Sequence, residues 1–415
     1  MMIAVKSAVS TVLAVSFIAV GSALAQADVD VDITGSATLV VGIVDGEADA
    51  DADMRLGLSG STILDNGLEL GLSGNVRADG QQAPTAVAGG RYSSLTNGGT
   101  RGLGDDDQDL FLEGAYLFAR GSFGSVHLGL DDGIASRLAV TAPTLFQSAR
   151  INDWRTDLSG LNDVHTISDF SGHAPKITYM PPAGFLGGLI GQVQLGVSYA
   201  PKLAACDADL CAPVDGFATS ADAAVLGEDR RWKDVVEAAL YYQKALSSGA
   251  DPLRLGVSAS WLSADEEGEP GGTISSALLG DYHAYSLGVN LAYGQMVLGG
   301  SMKSTNASLN NDRDEDYLAF DAGVTYGLGE WNFMLGYGNA NADRDAALLL
   351  GPPPPAVLTG RVDRETQTAQ AGVSYVFDHG VTLGASAQLI ESRKNDQLGG
   401  KEDSAAFLFE SAIRF

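Results

Sequence analysis

Short segments in which apolar and polar residues alternate recur along most of this chain, and they constrain its fold more than any other feature. The segment that begins at Val29 reads VDVDITGSATLVVGI and places every second residue on an apolar face. Because successive side chains of a β-strand point to opposite faces, this period of two predicts strands with one apolar and one polar face. The pattern therefore predicts an all-β protein with many strands.

Turn signals and connection lengths organise these strands into hairpins. Asp65-Asn66-Gly67, typical of a tight hairpin turn, separates two alternating runs, and the unit of strand, short turn and strand recurs until Phe415. We count about sixteen strands. Short turns alternate with long connections, which span 78–108, 131–175, 200–234, 262–282, 303–316, 338–365 and 390–404. This sorting is typical of a closed antiparallel transmembrane β-barrel with short periplasmic turns and long extracellular loops.

The first 25 residues indicate export. Lys6 supplies a positive charge, residues 8–20 are apolar, and Ala23-Leu24-Ala25 is a small-residue cleavage pattern. These are the three parts of a secretory signal peptide. We therefore predict a cleaved signal peptide over 1–25 and one barrel domain over 26–415.

One segment has two interpretations. Residues 233–246 read KDVVEAALYYQKAL and contain good helix formers, so an amphipathic helix is one interpretation. The even-numbered residues from Val236 to Tyr242 also fit the apolar face of a strand. The rhythm of the neighbouring segments favours the strand.

Charge and cysteines limit the partners of the chain. The sequence has 25 Lys and Arg against 52 Asp and Glu, a formal net charge of −27. Nucleic acid is not a predicted partner, because phosphate contacts need clustered basic residues. The two cysteines are Cys206 and Cys211. In an exported protein this spacing indicates one local disulfide, and two free thiols are the alternative.

Several segments carry a resemblance to a known family. Residues 111–133 read FLEGAYLFARGSFGSVHLGLDDG, residues 174–181 read APKITYMP, residues 196–201 read GVSYAP, and the chain ends in Phe415. The first resembles two consecutive strands of Gram-negative general diffusion porins, joined by a Phe-Gly turn. The next two resemble the alphaproteobacterial branch of these porins. A terminal aromatic residue is typical of outer-membrane barrels.

The resemblance implies a sixteen-stranded barrel in the outer membrane, a homotrimer, and a third loop that folds into the pore. Loop 131–175 takes that position here. Its aspartates would form the acidic side of a constriction: Asp131, Asp132, Asp153, Asp157, Asp163 and Asp169. By strand parity Arg55, Arg77 and Lys176 point inward and would form the opposite basic wall. The alternative is that these three are ordinary lumen charges with no particular role.

Acidic clusters also occur in other predicted loops, including Asp49, Asp51 and Asp53. The spacing of Asp312, Asp314 and Asp316 is similar to a calcium-binding loop but lacks its glycine, so a weak divalent site and a solvated charge run are both open. We predict no cofactor other than structural Ca²⁺ or Mg²⁺, or such ions bridging the surface to lipopolysaccharide.

The predicted function is passive diffusion of ions and small hydrophilic solutes, with a mild preference for cations because acidic residues are in excess. The sequence contains no G-x-S-x-G, H-E-x-x-H, Walker or Rossmann motif, so we do not predict an enzyme. A substrate-selective channel is the main alternative. An outer-membrane hydrolase assembled around His127 or His283, and a soluble β protein, are less favoured.

Overall fold

The computed structural model describes residues 29–79, 109–152, 157–159, 161–183, 191–203, 232–249, 251–266, 281–306, 316–350, 356–394 and 400–415. These residues form sixteen β-strands, one short helix and one 3-10 turn. The strands are β1 Asp30–Val44, β2 Glu47–Ile63, β3 Glu69–Asp79, β4 Asp109–Gly121, β5 Gly124–Leu130, β6 Pro175–Met180, β7 Gln192–Leu203, β8 Trp232–Ala245, β9 Arg254–Glu266, β10 Tyr282–Tyr293, β11 Met296–Thr305, β12 Asp316–Leu328, β13 Trp331–Leu350, β14 Ala356–Val376, β15 Val381–Lys394 and β16 Lys401–Arg414. The helix is α1 Ile134–Arg137 and the 3-10 turn is Asp378–Gly380.

The strands close into one antiparallel barrel, as the sequence predicts. Each strand pairs with its neighbour in the chain, and β1 pairs with β16 to complete the cylinder. At the seam the backbone amide of Gly35 donates to Phe415 O at 2.9 Å, and that of Phe415 donates to Gly35 O at 3.0 Å. The Phe415 ring covers Gly35 so closely that a Cβ there would lie 2.4 Å from the ring. Glycine at position 35 therefore lets the last residue close the barrel.

The two faces of the wall differ as the alternation predicts. In β1 the side chains of Leu39, Val41 and Ile43 are exposed on the outward face, whereas Thr38 and Val40 are buried on the inward face. Exposed aromatic residues lie on the outward face near the short turns: Tyr293, Tyr326, Trp331 and Phe415. An apolar outer band with aromatic residues at its edge is the surface that a bilayer requires of a barrel.

The connection between β1 and β2 is only two residues long. It consists of Asp45 and Gly46, whose φ angles of 53° and 92° suit a type I′ hairpin turn. The prediction that Asp49, Asp51 and Asp53 lie in a loop is wrong, since all three belong to β2. Alanines at 48, 50 and 52 alternate with these aspartates, so the segment lacks the large apolar residues that mark a strand.

Two further segments are strands. Residues 233–246, for which a helix was the alternative, fall almost entirely within β8. The predicted loop 338–365 is largely strand, because β13 and β14 pair as far as Leu350 and Ala356.

Within the described ranges, no helix combines the length and apolar character needed to cross a membrane.

Candidate pore constriction

The segment between β5 and β6 lies inside the barrel. Its described parts are 131–152, 157–159 and 161–174, and we call it the inner loop. Its backbone and side chains make hydrogen bonds of 2.8–3.0 Å to inward-facing side chains of β7, β9, β11, β14 and β1, namely Ser198, Ser258, Lys303, Gln370 and Thr38. A segment that contacts the inner face on so many strands occupies the lumen. The third loop thus folds into the barrel.

Glu410 of β16 is one of three buried carboxylates that fix the inner loop to the wall. Its oxygens accept hydrogen bonds from the backbone amides of Gln147, Ser148 and Ala149 at 2.6, 2.9 and 3.0 Å. Hydrogen bonds to an ionised acceptor are about twice as strong as neutral ones. One carboxylate therefore satisfies three consecutive amides that would otherwise face an occluded space.

Asp321 of β12 is the second of these carboxylates. It accepts hydrogen bonds from the backbone amide of Ala142 at 3.2 Å, from Asn152 Nδ2 at 2.8 Å and from Thr166 Oγ1 at 2.9 Å. These groups belong to distant points of the inner loop. Asp321 therefore joins the outgoing and returning parts of the loop to one site on the wall.

Glu237 of β8 is the third carboxylate and holds the root of the loop. It accepts a hydrogen bond from the backbone amide of Ala135 at 3.0 Å, at the start of α1. Lys176 lies nearby and donates to Ser171 Oγ at 2.7 Å and to Gly172 O at 2.5 Å. Charged groups from β6 and β8 thus secure both ends of the inner loop.

Apolar contacts fill the space between the inner loop and the wall. Phe170 stacks on Tyr282 with ring centroids 3.9 Å apart, within a cluster that includes Leu203, Val235 and Leu262. A second cluster packs loop residues against β13, β16 and β1: Val40, Phe146, Ala149, Leu158, Met334, Ala406 and Leu408. The sequence pattern predicts polar inward-facing residues, but here these residues are apolar. The reason is that the inner loop packs against them and forms a hydrophobic core inside this part of the barrel.

The inner wall of β2, β3 and β4 carries an ion network that faces the remaining lumen. Arg77 Nε and Nη2 donate to the two oxygens of Asp53 at 3.0 and 2.8 Å. Arg55 lies 3.3 Å from Glu113 and 3.8 Å from Asp53. His173, at the end of the inner loop, lies 3.8 Å from Glu113. Residues from the wall and the loop therefore meet in one charged cluster.

Glu113 reaches this cluster because of a β-bulge. Asn75 of β3 pairs with Gly114, but the next residue, Val76, pairs with Leu112, so Glu113 is an extra residue in β4. A bulge re-aims the side chain at which it occurs. Simple alternation would group Glu113 with Leu117 on the outward face, whereas in the structure it lies on the inward face beside Arg55 and Arg77.

The three predicted basic residues point inward but have different surroundings. Arg55 and Arg77 belong to the ion network, and the Arg55 side chain is 48% exposed. Lys176 is only 3% exposed and lies behind the root of the inner loop. It therefore holds the loop and does not line open space.

Most of the described aspartates of the predicted acidic loop stabilise the loop or attach it to the barrel wall. Asp131 contacts His127 and Arg137, Asp163 accepts from Thr366 of β14, and Asp169 lies 2.8 Å from His165. Asp157 accepts from the Ser159 and Asn162 amides at 3.0 and 2.8 Å and so caps a turn. Asp132 differs from these residues, because its side chain is 55% exposed and lies 3.3 Å from His173.

Sequence reasoning missed Asp53, Glu113 and His173 as members of the constriction. Asp53 lies two residues before Arg55, so in a strand both side chains face the same side. If a strand had been predicted here instead of a loop, Asp53 would have been placed inward beside Arg55. Several predicted residues lie outside the described side chains: Asp153, Cys206, Cys211, Asp312, Asp314 and Asp316. Among the described residues no group of three or more His, Cys, Asp or Glu is arranged to hold a metal ion.

Comparisons with known proteins agree with this architecture. The profile of the family described as Gram-negative porin matches residues 10–395. Salmonella typhi OmpF in complex with daunomycin has 13% identity and a TM-score of 0.56, over 93% of this chain and 97% of that one. An anion-selective porin from Comamonas acidovorans has 15% identity and a TM-score of 0.52, over 94% and 100%.

The trimer form of in-vitro folded OmpT, an outer membrane protein of Vibrio cholerae, has 12% identity and a TM-score of 0.50, over 93% of this chain and 99% of that one. At such identities the likeness to solved structures shows the fold. A comparison with curated protein sequences found no match.

Proposed function

We propose that this chain, which belongs to the Gram-negative porin family, lets ions and small hydrophilic solutes diffuse passively across the outer membrane, with a mild preference for cations. Family and fold together support a channel of the outer membrane rather than an enzyme. The passive mode and the ion preference are the proposal. The observation that carries it is an ion network whose members Arg55 and Asp132 are about half exposed, in a lumen that the inner loop narrows.

The sign of the selectivity follows from the charges that line this space. The network contains the guanidinium groups of Arg55 and Arg77, whereas Asp53, Glu113 and Asp132 contribute carboxylates. Two positive charges against three negative ones leave a small excess of acid. Charged rings and clusters at a constriction set the preference of a pore, so this excess supports a mild preference for cations.

A planar bilayer tests the proposal. Purified protein should produce stepwise increases in conductance, and under a salt gradient the reversal potential should have the sign of cation preference. An anion-selective reversal potential would refute the ion preference alone. Silent bilayers from well-folded barrels would refute the passive pore.

We also propose a homotrimer, with the outward face of β4, β5 and β6 as the contact between subunits. A strand that crosses a bilayer at a tilt of 45° needs about 9–11 residues. β5 has 7 residues and β6 has 6. The exposed apolar residues Leu128 and Ile177 on these two short strands, and Leu117 beside them on β4, would therefore be covered better by a neighbouring copy than by lipid.

We also propose the signal peptide over 1–25, the local disulfide of Cys206 and Cys211, and a weak divalent site at Asp312, Asp314 and Asp316. Contact with outer-membrane lipid follows from the location of the chain, and ion-bridged contact with lipopolysaccharide is proposed from the acidity of its predicted loops.

A further inference from the structure

A groove crosses the outward face of the barrel from β6 to β9. Its volume is about 530 Å³, and its lining is mostly apolar. Two small residues, Ala238 on β8 and Ala259 on β9, form its floor. The larger lining side chains around this floor are Tyr179, Leu195, Val197, Leu240 and Trp261.

The register of the strands explains why a depression forms here. Ala238 pairs with Val197 of β7 on one side and with Trp261 of β9 on the other. Tyr179 of β6 pairs with Val197, and its hydroxyl donates to Phe123 O at 2.9 Å. This hydrogen bond fixes the Tyr179 ring. The groove therefore lies between two aromatic rings, with small side chains between them.

The groove opens toward the membrane. Tyr179, Val197 and Trp261 are 39%, 50% and 38% exposed on the outward face, which acyl chains contact in an outer-membrane barrel. One long acyl chain has a volume comparable with that of the groove. Because lipid is as apolar as the barrel wall, van der Waals contact with the groove would hold such a chain, without a hydrophobic driving force.

A basic residue lies beyond one end of the groove. Lys244 is exposed and stands on the same face of β8 as Leu240, four residues further along the strand. At about 3.3 Å per residue the two Cα atoms are about 13 Å apart. A phospholipid covers such a distance between its phosphate and the middle of its acyl chains. Lys244 therefore places a positive charge where the phosphate of a lipid in the groove would lie.

We propose that the groove and Lys244 together bind one phospholipid of the periplasmic leaflet. One acyl chain would lie between Tyr179 and Trp261, and the phosphate would accept hydrogen bonds from the Lys244 ammonium group. Lys244 lies next to the connection between β8 and β9, at the end of the barrel that carries the short turns. Short turns face the periplasm, and this assigns the lipid to the periplasmic leaflet.

Native mass spectrometry of the purified, delipidated protein in detergent tests the proposal. The probes are phosphatidylglycerol and a diacylglycerol with the same acyl chains, which lacks the phosphate. We expect phosphatidylglycerol to saturate at one molecule per chain and to bind about fivefold more tightly than the diacylglycerol. Equal affinities, or a lipid count that rises without saturation, would overturn the proposal.

Two variants separate the groove from the charge. Ala238→Phe fills the groove and should weaken the binding of both lipids about tenfold, because the acyl chain loses its contacts. Lys244→Gln should abolish the preference for phosphatidylglycerol and leave diacylglycerol binding unchanged. The matched controls are Ala371→Phe, at an exposed alanine of β14, and Arg120→Gln, at an arginine of β4 that is 46% exposed and lies 3.5 Å from Glu69. Both controls should bind lipid as the wild type does, and an equal loss in either would overturn the proposal.

Semi-native gels test the other occupant of the groove, a neighbouring copy of the chain. With a lipid in the groove, Ala238→Phe should leave the oligomer unchanged. If Ala238→Phe fails to fold, Ala259→Phe fills the same groove from β9. Dissociation of the oligomer by a folded groove variant, with no lipid bound to the wild type, would overturn the proposal.

Discussion

Replacement of Glu410 by glutamine should loosen the inner loop without altering the barrel. In the native chain Oε1 accepts from the Gln147 amide, and Oε2 accepts from the amides of Ser148 and Ala149. A glutamine amide offers only one oxygen. If that oxygen keeps the hydrogen bonds from the Ser148 and Ala149 amides, the NH₂ group of the glutamine faces the Gln147 amide. Two hydrogen-bond donors then oppose each other.

The cost is at least one charge-assisted hydrogen bond, and the two retained bonds lose the charge of their acceptor. A hydrogen bond to a charged group contributes about 1.5–3 kcal/mol. Because 1.4 kcal/mol is a factor of ten in an equilibrium, local opening of the loop near residues 147–149 should increase about ten- to a hundredfold.

The assay is single-channel recording at fixed voltage. Glu410→Gln should show more noise in the open state and more frequent brief closures than the wild type, at a similar mean conductance. Glu69→Gln is a suitable control, since it neutralises a carboxylate that pairs with an arginine instead of with loop amides. Noise and closure identical to those of the wild type, in a variant with normal circular dichroism, would refute the anchoring role of Glu410.

Three further outcomes follow from the structure. Arg55→Gln should shift the reversal potential toward stronger cation preference and Asp132→Asn should shift it the opposite way; two shifts of the same sign would contradict the assignment of charges. Leu128→Arg on β5 should abolish trimers on semi-native gels. Leu335→Arg, at matched depth on the opposite wall, is the control and should leave the trimers intact. In both variants the charge on the outward face costs about 2–4 kcal/mol. Asp157→Asn should weaken the turn cap by about 1 kcal/mol and raise closure, but should leave the reversal potential unchanged.

The barrel could be predicted from sequence because a pleated strand between lipid and water imposes a period of two. The prediction failed where that contrast was weak. The start of β2 alternates alanine with aspartate, and without large apolar side chains it has the composition of a loop. The ends of β13 and β14 were missed for a related reason, since Leu348, Leu349 and Leu350 do not alternate.

The candidate site was only partly predictable, because parity gives the direction of a side chain and not what lies in front of it. Parity correctly directed Arg55, Arg77 and Lys176 inward. It could not indicate that the root of the loop buries Lys176. It also gives the wrong face for Glu113, because the bulge that turns this residue inward depends on the register with β3.

The anchoring of the inner loop explains why the constriction lies to one side of the barrel. Glu237, Asp321 and Glu410 stand on β8, β12 and β16, and the apolar clusters fill the space between the loop and this part of the wall. The wall of β2 to β4 therefore borders the open lumen and carries the half-exposed charges of the ion network. Inward charges on the anchoring strands should influence transport through the position of the loop, whereas Arg55 and Asp132 should influence it through the charge that they present to the open lumen. Substitutions at the first group should thus change closure and noise, and those at the second should change selectivity.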